Sequence, residues 1–435
     1  MSGANKNPLS HAGAAWLNRF PSRWDVVRLK SAVRVRSLKR NVVPEDRYVG
    51  LEHVESWTGQ VRDSEDSTAN AEGLGVVFEA GDVLLGKLRP YLAKVFLADR
   101  PGIASTEFLA LQGVHVEPEF LRYCLVSEPF IGAVVAATYG AKMPRANWED
   151  IGNSPQVIPP RQEQRAIADF LDRETAKIDA LIATQERLIA LLDEKRQATI
   201  THAVTKGLNP DAPMKESGVE WIGDVPEGWE RLRLKRVLRS SDYGISDALD
   251  APDGVAVLRM SNIKGGQVVI DDLKYVSSVP SRLLLNINDL LFNRTNSLDL
   301  VGQVGMVRQI LDHDMSFASY LVRLRTTIRA RPAYLGYLLN HPELLRLVRS
   351  MAFAAIGQAN LNPTRYAEIV LLLPAVAEQD DIVACLDGQT AKIDDLAAKA
   401  AQAIERLRER RAALITAAVT GQIDVTRPAI TEAAE

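Results

Sequence analysis

Apolar residues recur every seven positions in two long segments of the chain, a spacing typical of helices that pack along a narrow seam. Residues 162–206 contain no proline or glycine, and strong helix formers predominate in both segments. The pattern predicts two long helices, at 159–207 and 374–424, that pack on each other. The predicted seam consists of Leu171, Ile178, Ile182, Ile189 and Leu192 in the first helix and Leu386, Ile393, Ile404, Leu407 and Leu414 in the second.

The two helical segments are the last part of an internal two-fold repeat. Residues 163–179 return 215 positions later with Glu, Gln, Ile, Leu, Asp and a Thr-Ala-Lys-Ile-Asp run in register. Residues 21–30 return 205 positions later, again centred on a tryptophan. Because the offset changes between these landmarks, the intervening regions have diverged in length while the flanks stayed alike. The repeat predicts two related domains.

Each region between the landmarks mixes short β-rich runs with helical stretches such as 120–126 and 333–348. We expect an α/β chain of the α+β kind, with one globular domain at 1–158 and a second at 208–373. Residues 209–228 are rich in proline and glycine and predict a linker. Residues 425–435 are expected to form a flexible tail.

The run Gly81–Leu88 matches the spacing of a phosphate-binding loop except at its last position, where Leu88 replaces the Ser or Thr that holds magnesium. Its intervening residues are aspartate and three aliphatics, which favour a strand. We therefore predict a turn at Gly81-Asp82 and a buried strand at Val83–Leu85.

Polar and cationic side chains follow this strand and its counterpart in the second half. Arginine, lysine and asparagine can contact base edges or phosphates, although each cluster could equally be a polar turn or a solvated face. The candidate DNA-binding residues are Arg34, Arg36, Lys39, Lys87, Arg89, Tyr91, Lys94, Lys142, Arg145, Asn293, Arg294, Thr295, Asn296, Gln358 and Asn360.

The formal net charge of −3 argues against a protein that coats DNA, but it hides local concentrations of charge. Residues 1–44 carry nine lysines or arginines and one acid, and a second group of arginines lies between 319 and 350. Either group could be a phosphate-facing surface.

The sequence offers no arrangement that predicts catalysis. The two cysteines, Cys124 and Cys385, are too few for a disulfide framework, and the six histidines are scattered. We find no metal-ligand array, no glycine-rich dinucleotide loop and no Asn-Pro-Pro-aromatic tetrapeptide. No apolar run is long enough to span a membrane and no secretory signal is evident, so we expect a cytoplasmic protein.

These features together resemble the specificity subunits of type I restriction-modification systems. The most specific elements are 217–229, 81–94, Asn293–Asn296 and the Glu-Gln entries into both helical segments. The resemblance implies two target-recognition domains that each read half of a split DNA sequence, joined by two long helices that pair as an antiparallel coiled coil.

The resemblance also implies that this chain is not itself an enzyme. Its expected partners are double-stranded DNA, two modification subunits that methylate adenine, and restriction subunits that translocate and cleave DNA. S-adenosylmethionine, ATP and magnesium are then cofactors of those partners. The alternatives are a specificity subunit of a fused nuclease-methyltransferase, a coiled-coil scaffold that binds proteins, and a stand-alone methyltransferase, which the missing motifs disfavour.

Overall fold

The computed structural model describes residues 20–62, 73–140, 142–309, 313–355 and 357–425. The chain forms two compact units, one made of Met1–Glu186 and Ala401–Glu435 and the other of Arg187–Ala400. Each unit contains one of the predicted mixed α and β regions together with parts of both long helices. The mixed helix and strand fold and the two long helices predicted from the sequence are thus confirmed.

Among its described residues, the first unit contains ten strands, four short α-helices and the start of the first long helix, which continues into the second unit. Its elements are β1 (Asp25–Arg28), α1 (Leu29–Ala32), β2 (Val33–Val35), β3 (Lys39–Asn41), β4 (Tyr48–Val49), β5 (Leu74–Phe78), β6 (Val83–Gly86), β7 (Val95–Leu97), β8 (Gly102–Ser105), β9 (Phe108–Gly113), α2 (Pro118–Val126), α3 (Glu128–Ala136), α4 (Trp148–Asn153), β10 (Pro155–Ile158) and α5 (Arg161–Lys206).

The second unit has the same general order of elements, and its last helix ends in the first unit. Its elements are β11 (Met214–Glu216), β12 (Asp224–Pro226), β13 (Glu230–Arg233), β14 (Leu238–Tyr243), β15 (Val255–Leu258), β16 (Ile263–Lys264), β17 (Gln267–Val268), β18 (Lys274–Val276), β19 (Leu290–Asn293), β20 (Thr295–Asn296), β21 (Val304–Met306), β22 (Met315–Phe317), β23 (Leu321–Thr326), α6 (Pro332–Leu339), α7 (Pro342–Ser350), β24 (Phe353–Ala355), β25 (Gln358–Asn360), α8 (Pro363–Tyr366), β26 (Val370–Leu373) and α9 (Val376–Val419).

The central sheets of the two units share one topology. The order β2-β9-β6-β7 in the first unit corresponds to β14-β23-β19-β21 in the second. The corresponding strands β6 and β19 are buried along their whole length. Strand β6 begins after the turn at Gly81-Asp82, as the sequence predicted. The units differ beside this sheet, where the first has the order β3-β5-β8-β4 and the second has β18-β15-β22.

The repeated landmarks are alike because they touch each other within each unit. The indole Nε1 of Trp24 donates to Glu163 at 2.9 Å, and that of Trp229 donates to Glu378 at 3.0 Å. The residue after this glutamate is a buried glutamine in both units. In the first unit it is Gln164, whose side-chain amide donates to the carbonyl of Pro159 at 2.8 Å. These buried polar contacts anchor the start of each long helix to its own domain.

The long helices run antiparallel to each other in the first unit, and they also contact each other in the second. In the first unit Asp179 pairs with Arg411 at 2.8 Å and Glu186 with Arg408 at 3.5 Å, so one helix ascends as the other descends. In the second unit Arg196 pairs with Asp394 at 3.4 Å. All ten predicted seam residues are buried or half-buried, as an apolar seam between paired helices requires.

One expectation is refined by the structure and another was wrong. Residues 333–348 form two helices, because Pro342 has no N–H and disfavours the helical conformation at His341, which instead caps α7 by accepting from Glu343 N–H at 3.2 Å. Residues 209–228 are more than a linker, because β11 and β12 pair as a hairpin and Val225 is fully buried in the domain core.

Candidate nucleic-acid interface

Three segments of the first unit meet where β6 ends. The backbone N–H of Lys87 donates to the carbonyl of Glu107 at 2.8 Å, and the N–H of Ala146 donates to the carbonyl of Lys87 at 3.0 Å. An isolated bridge pairs Leu88 with Arg145. These bonds place Lys87, Glu107 and Arg145 beside one another, and we call these three residues the first frame.

The second unit repeats this arrangement where β19 ends. The N–H of Arg294 donates to the carbonyl of Tyr320 at 3.1 Å, and the N–H of Leu361 donates to the carbonyl of Arg294 at 2.8 Å. Strand β20 pairs with β25, with Thr295 opposite Asn360. We call Arg294, Tyr320 and Asn360 the second frame.

A cap follows each frame and fixes the chain that leaves it. The side chain of Asn147 accepts from the N–H of Asp150 at 2.9 Å at the start of α4. The side chain of Asn362 accepts from the N–H of Thr364 at 2.8 Å at the start of α8. Asparagine is a favoured residue at this position because its oxygen satisfies a free amide of the first turn.

The first frame is an electropositive cluster with one acid. Arg145 pairs with Glu107 at 2.8 Å while its side chain stays 45% exposed. Burial lowers the pKa of the Lys87 ammonium; the charges of Lys39 and Arg145 act in the same direction, and Glu107 opposes them. Lys87 is therefore a partly desolvated cation, and an anion or hydrogen-bond acceptor placed beside it would replace the water that burial removes.

The second frame combines an oriented arginine with exposed aromatic rings. Arg294 donates to the side-chain oxygen of Asn360 at 2.8 Å, and its guanidinium lies 5.2 Å from the ring centroid of Tyr243. Tyr243, Tyr320 and Phe353 are 52%, 46% and 66% exposed. Large exposed aromatics beside an arginine are a common feature of binding surfaces.

The structure brings together candidate residues that lie in separate segments of the sequence. Lys87 and Arg145 meet in the first frame, and Arg294 and Asn360 meet in the second. The remaining exposed candidates are Arg34, Lys39, Arg89, Tyr91, Lys142 and Gln358, and Asn296 is half-buried.

Four candidate side chains are buried or bound to other groups of the protein and are therefore not available to contact DNA. Arg36 pairs with the buried carboxylate of Asp82, and Lys94 donates to the carbonyl of Leu51 at 2.6 Å. Asn293 and Thr295 are 0% and 3% exposed, because alternate residues of the strand end point into the core.

The predicted arginine patch at 319–350 is largely used inside the second unit. Arg323 is 2% exposed and donates to Asp242 at 2.8 Å, while Arg325 makes two bonds to Asp289 at 2.6 and 2.9 Å. Arg331 pairs with Asp380 at 2.7 Å. In the patch at 1–44, Lys6 and Arg19 lie outside the described residues.

Sequence reasoning missed Glu107, Tyr320 and Tyr243. The first two each lie immediately before a strand of the central sheet, β9 and β23, and their positions are equivalent in strand register, because Gly86 pairs with Phe108 and Asn293 with Leu321. A comparison of those strand starts would have indicated them, whereas Tyr243 gives no comparable signal.

The described residues contain no group of three or more His, Cys, Asp or Glu placed to hold a metal ion. Cys124 is buried, and burial raises the pKa of its thiol. Within the same residues, no helix has a stretch long and apolar enough to cross a membrane.

Comparison with protein-family models gave no match. The chain is 27% identical over 281 residues to the EcoKI specificity subunit of Escherichia coli strain K12, a match that covers 63% of this chain and 58% of the relative. The EcoBI specificity subunit of Escherichia coli is 24% identical over 308 residues, covering 68% and 64%. The StySPI specificity subunit of Salmonella potsdam is 26% identical over 317 residues, covering 71% and 66%.

These matches span less than two thirds of the length of each relative. A solved structure that concerns complex assembly and conformational transition of the type I R-M system has the same fold, with a TM-score of 0.71 and 19% identity over 93% of this chain and 100% of that one. The resemblance to type I specificity subunits found in the sequence is thereby confirmed.

Proposed function

We propose that this chain, as its similarity to type I specificity subunits implies, is the DNA-reading subunit of a type I restriction-modification complex. It reads a bipartite, asymmetric DNA site and directs adenine methylation and cleavage by partner subunits. The chain itself is non-catalytic, and S-adenosylmethionine, ATP and magnesium act in the modification and restriction subunits. The complex works in the cytoplasm.

The observation that carries the proposal is the presence of two equivalent frames with different side chains. Each frame offers cationic or amide side chains of the kind that contact bases and phosphates. Because the backbones correspond and the side chains do not, each unit would prefer a different short sequence. That difference is what an asymmetric split site requires.

The paired helices support the proposal that partner subunits bind this chain. In the second unit Leu188 and Leu191 of α5 and Leu396 of α9 are 40%, 44% and 50% exposed, although they lie on well-formed helices. Leu188 and Leu191 lie three positions apart and therefore share a face of α5, and exposed apolar residues that share a helix face are typical of sites that another protein covers.

Co-expression with a modification subunit from the same organism tests the proposal. Sequencing that detects methylated adenine should reveal one split, asymmetric motif, and purification should recover the chain with that subunit. Recovery with the modification subunit and no methylation or DNA affinity would instead favour a protein-binding scaffold. Copurification of a single polypeptide with nuclease and methyltransferase activity would favour the fused system.

A further inference from the structure

We propose that the three positions of each frame choose bases, so that exchanging their side chains exchanges the sequence that the unit reads. Lys87, Glu107 and Arg145 would select for the first unit, and Arg294, Tyr320 and Asn360 for the second. The inference rests on the proposed function and adds to it which residues determine each half-site.

Main-chain hydrogen bonds hold the three segments of each frame together. The N–H of the first residue donates to the carbonyl of the second, and the residue after the third donates back to the first. Side chains take no part in these bonds, so they can change without altering the position of the frame. A site built in this way is suited to acquiring new sequence preferences.

The side chains of the second frame match purines. Arginine can bind guanine through O6 and N7, and asparagine can bind adenine through N6 and N7. The bond from Arg294 to the Asn360 oxygen and the ring of Tyr243 hold the guanidinium in a defined direction. We therefore assign the second half-site at least one adenine that is read by Asn360.

The side chains of the first frame match a G·C pair. Lys87 and Arg145 can donate to the O6 and N7 atoms of guanine. The Glu107 Oε2 atom is buried without a hydrogen-bond partner, while its Oε1 receives Arg145 at 2.8 Å. Glu107 thus orients Arg145 in the free protein, and the first half-site is assigned a G·C pair.

The test transplants the first frame into the second unit as the triple variant Arg294→Lys, Tyr320→Glu, Asn360→Arg. The variant is assembled with the modification subunit, and adenine-methylation sequencing gives its motif. We expect the second half-site to change and the first to stay as in the wild type. Arg231→Ala, which removes an exposed arginine of β13 in the same unit that belongs to neither cationic group nor frame, serves as the matched control and should leave the motif unchanged.

If the triple variant loses methylation, the single variant Asn360→Ala tests the inference instead. Asn360 is exposed, so this variant should fold with an unchanged melting temperature and relax the preference for one base of the second half-site by about tenfold or more. An unchanged motif in methylating variants overturns the inference while leaving the proposed function intact. Absence of any split motif in the wild-type complex would instead contradict the proposed function.

Discussion

Residues of one type serve opposite purposes in this chain, depending on what lies beside them. Arg34 and Arg36 are two positions apart at the same strand. Arg34 is exposed, whereas Arg36 neutralises Asp82, which is 1% exposed and also accepts from the N–H of Glu79 at 2.8 Å. The sequence shows two equivalent cations, and only the fold distinguishes a surface charge from the partner of a buried acid.

Substitution of Arg36 with alanine should lower the free energy of unfolding by about 2 to 4 kcal/mol, because it leaves the carboxylate of Asp82 buried and unpaired. The matched substitution Arg34→Ala should change it by less than about 0.5 kcal/mol, as is usual for an exposed residue. Urea denaturation of both variants measures the difference. Equal stabilities would mean that the ion pair does not hold the turn before β6.

The carboxylate of Glu163 should make stability depend on acid pH. Hydrogen bonds from Arg23 and then from Trp24 hold its pKa below the ordinary value of 4.5, against the effect of burial. The ionised form is therefore favoured by folding, and its contribution is present above pH 4.5 and lost as the pH falls through the folded-state pKa.

We accordingly expect Glu163→Gln to melt at a lower temperature than the wild type at pH 7, with the gap closing below pH 4.5. Calorimetry between pH 3 and pH 7 measures it. Glu174→Gln is the control, because that glutamate also has a lowered pKa but lies in an exposed pair with Lys177, which contributes little. A gap that is independent of pH would show that charge at Glu163 is not what stabilises the fold.

At the scale of elements, the ion pairs between the long helices repeat with different strengths. Arg411 makes bonds of 2.8 and 3.3 Å to Asp179 and donates to the carbonyl of Trp57 at 3.1 Å, and its side chain is 10% exposed. Arg196 and Asp394 occupy the equivalent positions, but they are 3.4 Å apart and 25% and 55% exposed.

Double-mutant cycles should therefore give unequal coupling energies. We expect about 1 to 3 kcal/mol between Arg411 and Asp179, because the pair is shielded from water and bidentate. The pair of Arg196 and Asp394 should give less than about 1 kcal/mol, as exposed pairs do. Alanine variants unfolded in urea provide both values, and equal couplings would contradict the role assigned to burial.

An element can be predicted from the sequence when nearby residues specify it. The long helices were predictable, because heptad spacing and flanking proline and glycine specify them along the chain. The hairpin at 214–226 was not, because composition suggested a linker while Val225 and Trp229 became buried through contacts with α9 and the domain core. The frames were half predictable: Lys87, Arg145, Arg294 and Asn360 follow turn signals, but Glu107 and Tyr320 join them only through pairing of distant strands.

At the scale of the whole molecule, the two repeated units, and not the net charge, account for the affinity for DNA. A chain with a formal charge of −3 has no overall attraction to DNA, so its affinity must come from cations placed locally in each unit. Phosphate and base contacts by the frames would be the main contribution. Weak binding to DNA outside the recognised sequence would then let the chain discriminate between sequences, where a strongly basic protein would coat DNA.

Contacts made by the two units should contribute independently to DNA affinity. Lys87→Ala and Arg294→Ala should each weaken binding of the assembled complex to its methylation motif by about 1 to 3 kcal/mol. The two residues belong to different compact units and share no hydrogen-bond partner among the described residues, so the double variant should show the sum of the two losses. Fluorescence anisotropy with labelled duplexes measures all three, with Arg231→Ala as a control of wild-type affinity. A double variant no weaker than either single variant would mean that one unit provides all of the specific contact, and the chain would then read a single short sequence in place of a split one.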